Sequence, residues 1–454
     1  MKRFPFSTAL KGILLFLIPS IFLFSCDQQV KELKVITFTG CTFLDNLTRQ
    51  NLEFGSVADS GETGALLVSE GDLLYIMGKE EGNITYLIYD SEFGQNLEII
   101  VDTNDLGLHR INGKAYSLYL ADDIEYNEVI SRLSSEDLAG LGFLNVISEG
   151  NSDVVAAARK IADVNPGVGL SVNNRELFYK ILAMFHPASL VLTDIEVDDR
   201  INEFIPNLDK VELLTMESDS ITSWDFLYNM PKLKTLMIGS WDADMKEQIQ
   251  IDKITNLETL IVSESDMTSL EALGNATRLS ELYLFSCESL TDISRIKDMQ
   301  DITCLGLVGC DTIINLTALN ALPSLRWLSL PIDISQEDFE GLVVHHPLLE
   351  GIDMLECIYI TDLSPLIQLQ GLKALSISAE KIDYDILKQL TGIQLIVINE
   401  TTFSRDEEEI AALKEALPDA HIVPGGGFCM GSGWILLFLP VLLLALGYRR
   451  FTRK

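Results

Sequence analysis

The side chains best able to bond, ligate or move protons in this 454-residue chain are seven cysteines and five histidines. Cys287, Cys310 and Cys357 are spaced 23 and 47 residues apart. No CxxC pair or histidine partner accompanies them, so metal ligation is not expected. Cys287 and Cys310 are close enough to bridge. Cys357 lies about 10 Å beyond, too far to join them. We read the three as a buried, reduced column. The histidines are His109, His186, His345, His346 and His421. His345 and His346 precede Pro347 at the end of a helical pattern, where a basic group suits the backbone dipole. No HExxH, GxSxG or GxxxxGK[ST] motif occurs. "WDADMKE" (241–247) has acids at alternate positions but lacks the glycine turn and closing glutamate of a calcium loop. No cofactor is expected, and the chain is not expected to be an enzyme. The alternative is an extracytoplasmic enzyme with its catalytic site in residues 30–190 and the rest as a substrate platform; it needs His109 clustered with acidic groups.

Two further cysteines mark the ends. Lys2, Arg3 and Lys11 precede an apolar run that closes at Leu23-Phe24-Ser25-Cys26. That stretch resembles a bacterial lipobox, which implies export of the chain after a signal peptide over 1–25 and lipidation of Cys26. At the other end, residues 425–433 are Gly-rich and contain Cys429, 434–448 are almost wholly apolar, and 449–454 are basic. Flanking small residues extend the apolar run toward the ~20 residues that span a bilayer. The basic tail would stay cytoplasmic, with the body outside. This layout resembles bacterial C-terminal sorting signals built from a Gly/Cys motif, a helix and an arginine cluster, and Cys429 matches the cysteine of that family. A plain transmembrane anchor is the other reading.

Charge supports a soluble, exported body. The net charge is −34; setting aside three basic groups in 1–25 and four in 429–454 leaves 26 basic against 67 acidic groups. Such a surface repels phosphate backbones, so nucleic acid is excluded as a partner.

Between the ends lies a repeat. "VELLTM" (211), "LKTLMI" (233), "LETLIV" (257), "LSELYL" (279), "ITCLGL" (302), "LRWLSL" (325), "LEGIDM" (349), "LKALSI" (372) and "IQLIVI" (393) all read apolar-x-x-apolar-x-apolar, with starts 21 to 24 residues apart. Each centre is a short strand that cannot bury its apolar face alone, so stacking in parallel creates a shared core. This is a leucine-rich repeat array, and "ITDLSPLIQL" (360–369) closely resembles the return segment of internalin-type bacterial repeats. The fold class expected is an α/β solenoid: a right-handed leucine-rich repeat horseshoe with a parallel β-sheet, preceded by a small β-rich domain and capping helices. In the returns, Leu290, Ile313 and Ile360 should fill the core, and Asp292, Asn315 and Asp362 should cap the turns that follow. The cysteine column falls at the bend after the strand.

Elements at the flanks complete the layout. Residues 30–125 alternate short apolar runs with "SEGD", "KEEGN" and "NGK" turns and predict a small antiparallel β domain, weakly resembling bacterial SH3-like modules. Residues 126–188 predict a helical cap or linker, with helices in 152–166 and 174–187. The repeats occupy 189–403. A helix over 404–424, started by Ser404 and Glu407 as a capping box, should close the array. Residues 425–454 form the tail.

Strand alternation fixes the outward side chains. The third, fifth and seventh positions of each repeat face the concave surface. They include Thr259, Ile261 and Ser263, then Glu281, Tyr283 and Phe285, then Cys304, Gly306 and Val308, then Trp327, Ser329 and Pro331. Exposed aromatic side chains suit binding, so Glu281, Tyr283, Phe285 and Trp327 are the candidate ligand contacts; the other reading is that a return loop or the N-terminal domain folds over this face and buries them. The expected function is a surface-anchored repeat protein that binds a protein or glycan at the cell surface, with the membrane engaged through Cys26, the C-terminal helix, or both.

Overall fold

The computed structural model describes residues 38–41, strand backbone between 65 and 121, and 130–425 with short gaps. The leader with Cys26, the tail with Cys429 and residues 242–248 lie outside the described residues. Strands β1 (Ala65–Leu67), β2 (Leu73–Glu80), β3 (Asn83–Asp90) and β4 (Gln95–Asp102) form an antiparallel sheet in that order.

A second, fifteen-stranded sheet runs in strict sequence order. It opens with an antiparallel pair, β5 (Leu108–Ile111) and β6 (Lys114–Ala121). From β6 onward every neighbour is parallel: β7 (Phe143–Ile147), β8 (Gly169–Val172), β9 (Ser189–Leu192), β10 (Leu213–Glu217), β11 (Thr235–Gly239) and β12 (Thr259–Ser263) come first. β13 (Glu281–Phe285), β14 (Cys304–Gly306), β15 (Trp327–Ser329), β16 (Gly351–Met354), β17 (Ala374–Ile377), β18 (Leu395–Asn399) and β19 (His421–Gly425) complete it. One strand per unit, all parallel and in register, is a leucine-rich repeat solenoid.

The register follows the apolar frame. Leu236, Leu260, Leu282, Leu305, Leu328, Ile352, Leu375 and Ile396 are successive partners and are all buried in one continuous core. Each such side chain contributes roughly 1.5–3 kcal/mol by leaving water. The returns close that core from behind. Asp292 Oδ1, Asn315 Oδ1 and Asp362 Oδ1 accept from the backbone N–H of Ser294, Thr317 and Ser364, each at 2.8 Å. The capped turns lead into 3₁₀ helices at Ser294–Asp298, Leu316–Ala321 and Ser364–Gln368. Leu290 and Ile360 are buried and Ile313 packs against the core at its edge. Cys287, Cys310 and Cys357 are buried thiols outside any disulfide. The bend just before that column uses left-handed backbone: Ser240, Glu264 and Ser286 have φ near +50° and Gly309 has φ +70°. The N–H groups of the three non-glycine residues donate to Ser263, Phe285 and Val308 carbonyls of the next unit, which offsets the steric cost.

Helices serve as returns in several units: α1 (Ser135–Gly140), α2 (Ser152–Ala162), α3 (Arg175–Leu182), α4 (Gln336–His345), α5 (Tyr384–Leu387), α6 (Glu400–Arg405) and α7 (Glu407–Ala416). Three expectations change here. The separate β domain expected over 30–125 is divided, because β1 to β4 form their own sheet while β5 and β6 open the long one. The helical cap over 126–188 is instead part of the solenoid, because β7 and β8 alternate with α1, α2 and α3 inside the sheet. Leu118, Leu144, Leu170 and Leu190 extend the leucine column upstream. Ala115, Gly167 and Pro187 stand at three of the four leading apolar positions, and the intervals of 26, 26 and 20 residues break the period. The third change concerns 404–424. α7 is followed by β19, so it crosses between strands rather than closing the array. The Ser404 capping box does not form: Asn399 Oδ1 caps Thr401 N–H at 3.0 Å and starts α6 earlier, placing Ser404 inside a helix. Ile410, Leu413 and Leu417 are buried.

Candidate functional site: an occupied cleft on the front face

The side of the sheet turned away from the returns is its front face. Alternation places Glu281, Tyr283 and Phe285 of β13 there, beside Cys304 and Gly306 of β14, Trp327 and Ser329 of β15, Gly351 and Asp353 of β16, and Ser376 of β17. The expected direction of these side chains holds; their expected exposure does not. Tyr283 and Trp327 are 0% and 1% exposed, Phe285 is 8% exposed and Glu281 is 1% exposed. Among the described residues, the segment lying on this face is Phe38–Cys41.

That segment is a turn with four attachments. Cys41 N–H donates to Phe38 O at 3.1 Å, and Gly40 takes φ +80°, a conformation that glycine adopts without steric cost. Cys41 is disulfide-bonded to Cys304 on β14, 263 residues away. Thr303 Oγ1 donates to Gly40 O at 2.7 Å. Thr39 N–H donates to Glu350 Oε2 at 2.9 Å. The Phe38 ring, 4% exposed, lies over Gly351 on the same side as the Trp327 ring. A Cβ on Gly351 would stand 2.5 Å from Trp327 Cδ1 and 2.7 Å from Phe38 Cε1, so the absent side chain makes the ring pocket.

The cleft floor is ordered by its own contacts. The Tyr283 ring leans over Gly306 toward Trp327, with centroids 6.0 Å apart and planes tilted by 59°. It stacks with Phe285 at 6.4 Å. Tyr283 Oη donates to Glu281 Oε2 at 2.7 Å, which gives that buried carboxylate a partner. Asp353 accepts from the hydroxyls of Ser376 and Ser329. Burial pushes the Glu350 carboxyl up, but hydrogen bonds from Lys373 Nζ at 2.8 Å and from Thr39 outweigh it and hold the group below the usual carboxylate range. Arg326 Nη1 stands 3.8 Å from its other oxygen.

An aromatic pocket, a side-chain hydroxyl and a paired carboxylate hold the main chain of this turn. The histidines lie elsewhere: His186 pairs with Asp209 at 3.0 Å on the surface, while His345 and His346 end α4. Among the described residues no group of His, Cys, Asp and Glu could hold a metal ion, and no helix is long and apolar enough to cross a membrane. The His109 side chain and the expected span at 434–448 lie outside them.

Phe38, Thr39, Gly40, Cys41, Thr303, Glu350 and Lys373 were not among the candidates from sequence. One signal was present. Cys304 occupies an outward strand position rather than the buried column, which sets it apart from Cys287, Cys310 and Cys357.

No family model matches the chain. Among solved structures it is similar to an internalin of Listeria monocytogenes, at 18% identity and a TM-score of 0.40, over 67% of this chain and 85% of the internalin. It is also similar to a leucine-rich repeat protein of Leptospira interrogans, at 12% identity and a TM-score of 0.33, over 68% of this chain and 89% of the other. Both likenesses are loose, and the repeat architecture rests on the strand register of this chain itself.

Proposed function

We propose that this is an exported recognition protein, held at a bacterial cell envelope, whose solenoid binds a polypeptide ligand. The observation that carries the reading is the front-face cleft, where Cys304, Thr303, Glu350 and the pocket at Gly351 and Trp327 hold a bound turn beside the buried Glu281, Tyr283 and Phe285. Aromatic residues gathered in a desolvated pocket are the usual centre of a protein interface. The Cys41–Cys304 bond supports a location outside the cytoplasm, because structural disulfides persist in oxidising compartments. Cys26 and Cys429 are the residues we assign to lipidation and sorting, and the acidic body suits an exterior surface.

Mass spectrometry of the protein isolated from its own envelope tests the location. A lipid on Cys26, or a chain ending near Cys429, is the expected result. An unmodified chain in the soluble fraction overturns it. For the ligand, immobilised full-length protein is screened against protein and glycan arrays with and without a dithiol reductant, which opens the Cys41–Cys304 bond. Saturable binding to proteins is expected; binding confined to glycans would overturn the polypeptide reading.

A further inference from the structure

A staple needs only two cysteines in reach. The turn at Phe38–Cys41 has far more: a ring pocket opened by Gly351, a carboxylate that receives the Thr39 N–H, and a hydroxyl that donates to the Gly40 carbonyl. Gly40 is also fitted to its place, since a Cβ there would come 2.8 Å from Thr303 Cγ2. Each contact reads a general feature of a peptide. The pocket reads an aromatic ring, Glu350 reads a free main-chain N–H, and Thr303 reads a carbonyl at a glycine. None requires that the peptide belong to this chain.

We infer that the cleft from β13 to β17 is a polypeptide-recognition site that the chain fills with its own Phe38–Cys41 turn, and that its external ligand is a polypeptide turn with an aromatic residue two positions before a glycine. This rests on the solenoid being a recognition body and specifies what that body recognises. The internal turn is covalently held, so its effective concentration excludes a free competitor. Exchange therefore requires a dithiol. Its two thiols reduce the Cys41–Cys304 bond to two S–H groups, and the dithiol is oxidised to its own disulfide, with two electrons and two protons passing to the protein. Both sulfur-bearing residues are 0% exposed, so the reductant reaches them as the turn lifts.

The probe is a fluorescent synthetic peptide of residues 35–43 with serine in place of Cys41. It is titrated by anisotropy against full-length protein in three forms: the disulfide-intact parent, a Phe38→Ala/Cys41→Ser variant, and that variant with Trp327→Ser added. Circular dichroism confirms that each is folded. Saturable binding is expected for the double variant alone, and a further Glu350→Gln change should weaken it at least tenfold. Absence of binding to the folded double variant overturns the proposal, as does equal binding to the parent. Should the double variant not fold, Phe38→Ala with the disulfide intact is titrated with N-acetyl-phenylalaninamide and followed by tryptophan fluorescence. A saturable change is expected, and none overturns the proposal. If the peptide fails while the parent binds a protein on the arrays, the recognition function stands and the cleft is only a staple.

Discussion

Thr39 reaches Glu350 across 311 residues of sequence, its N–H lying 2.9 Å from Oε2. Lys373 Nζ shares the same oxygen at 2.8 Å, so one carboxylate joins the docked turn to the next repeat. Because the folded-state pKa of Glu350 is lowered, its contribution is fully present above the ordinary value near 4.5 and is lost as pH falls through the lowered one. Replacing Glu350 by Gln should cost about 1.5–3 kcal/mol at neutral pH, the range for a hydrogen bond to a charged group. It should also flatten the acid limb of stability below pH ~4.5. Urea unfolding of both proteins across pH 3–7 measures the two effects.

His346 should produce a separate acid limb at higher pH. Burial, then the charge of His345, lowers its pKa from 6.5 to about 4. The neutral ring is the form the folded state accepts, so the unfolded chain binds the proton first as pH falls. Stability should hold above pH 6.5 and drop by up to about 3 kcal/mol between there and pH 4. His346→Gln should remove that slope, as read from thermal melts at fixed ionic strength; an unchanged slope would mean that His346 is solvated.

Leu305 and Leu118 test the extent of the cooperative unit. Both are fully buried in the one core, at the centre and near the start of the long sheet. Either leucine changed to alanine should cost about 2–5 kcal/mol. Both should move a single unfolding transition, because each unit buries its core only against its neighbours. A separate early transition for Leu118→Ala would mean that β6 belongs to a unit apart from the repeats.

Thiol chemistry should sort the cysteines into two kinds. Cys287, Cys310 and Cys357 are buried thiols outside any disulfide, and the hydrogen bond with Cys287, aided by burial, pushes the Cys310 thiol well above its ordinary range. All three should resist alkylation in the native protein and react on unfolding. Cys41 and Cys304 should stay unreactive until a reductant is added, and should appear joined in a non-reduced peptide map. Phe38→Ala should speed reduction by dithiothreitol several-fold, because the Phe38 ring belongs to the turn that covers the bond.

The sequence by itself determined the solenoid from β10 to β18. A strand that alternates apolar and polar side chains, repeated every 21 to 24 residues, has one way to bury its apolar face, and the register of Leu236 through Ile396 follows from it. The turn caps at Asp292, Asn315 and Asp362 are equally local, since each side chain meets a backbone N–H two residues on. Alternation also fixed which way Glu281, Tyr283, Phe285 and Trp327 point. Tertiary structure alone decided what meets them. Whether a front face is open or covered depends on contacts between Phe38–Cys41 and residues more than 260 positions away, and no periodicity carries that information. The same holds upstream. Gly167 and Pro187 conceal the repeat frame at β8 and β9, and those strands become recognisable only when Leu170 and Leu190 pair with neighbours already in the sheet.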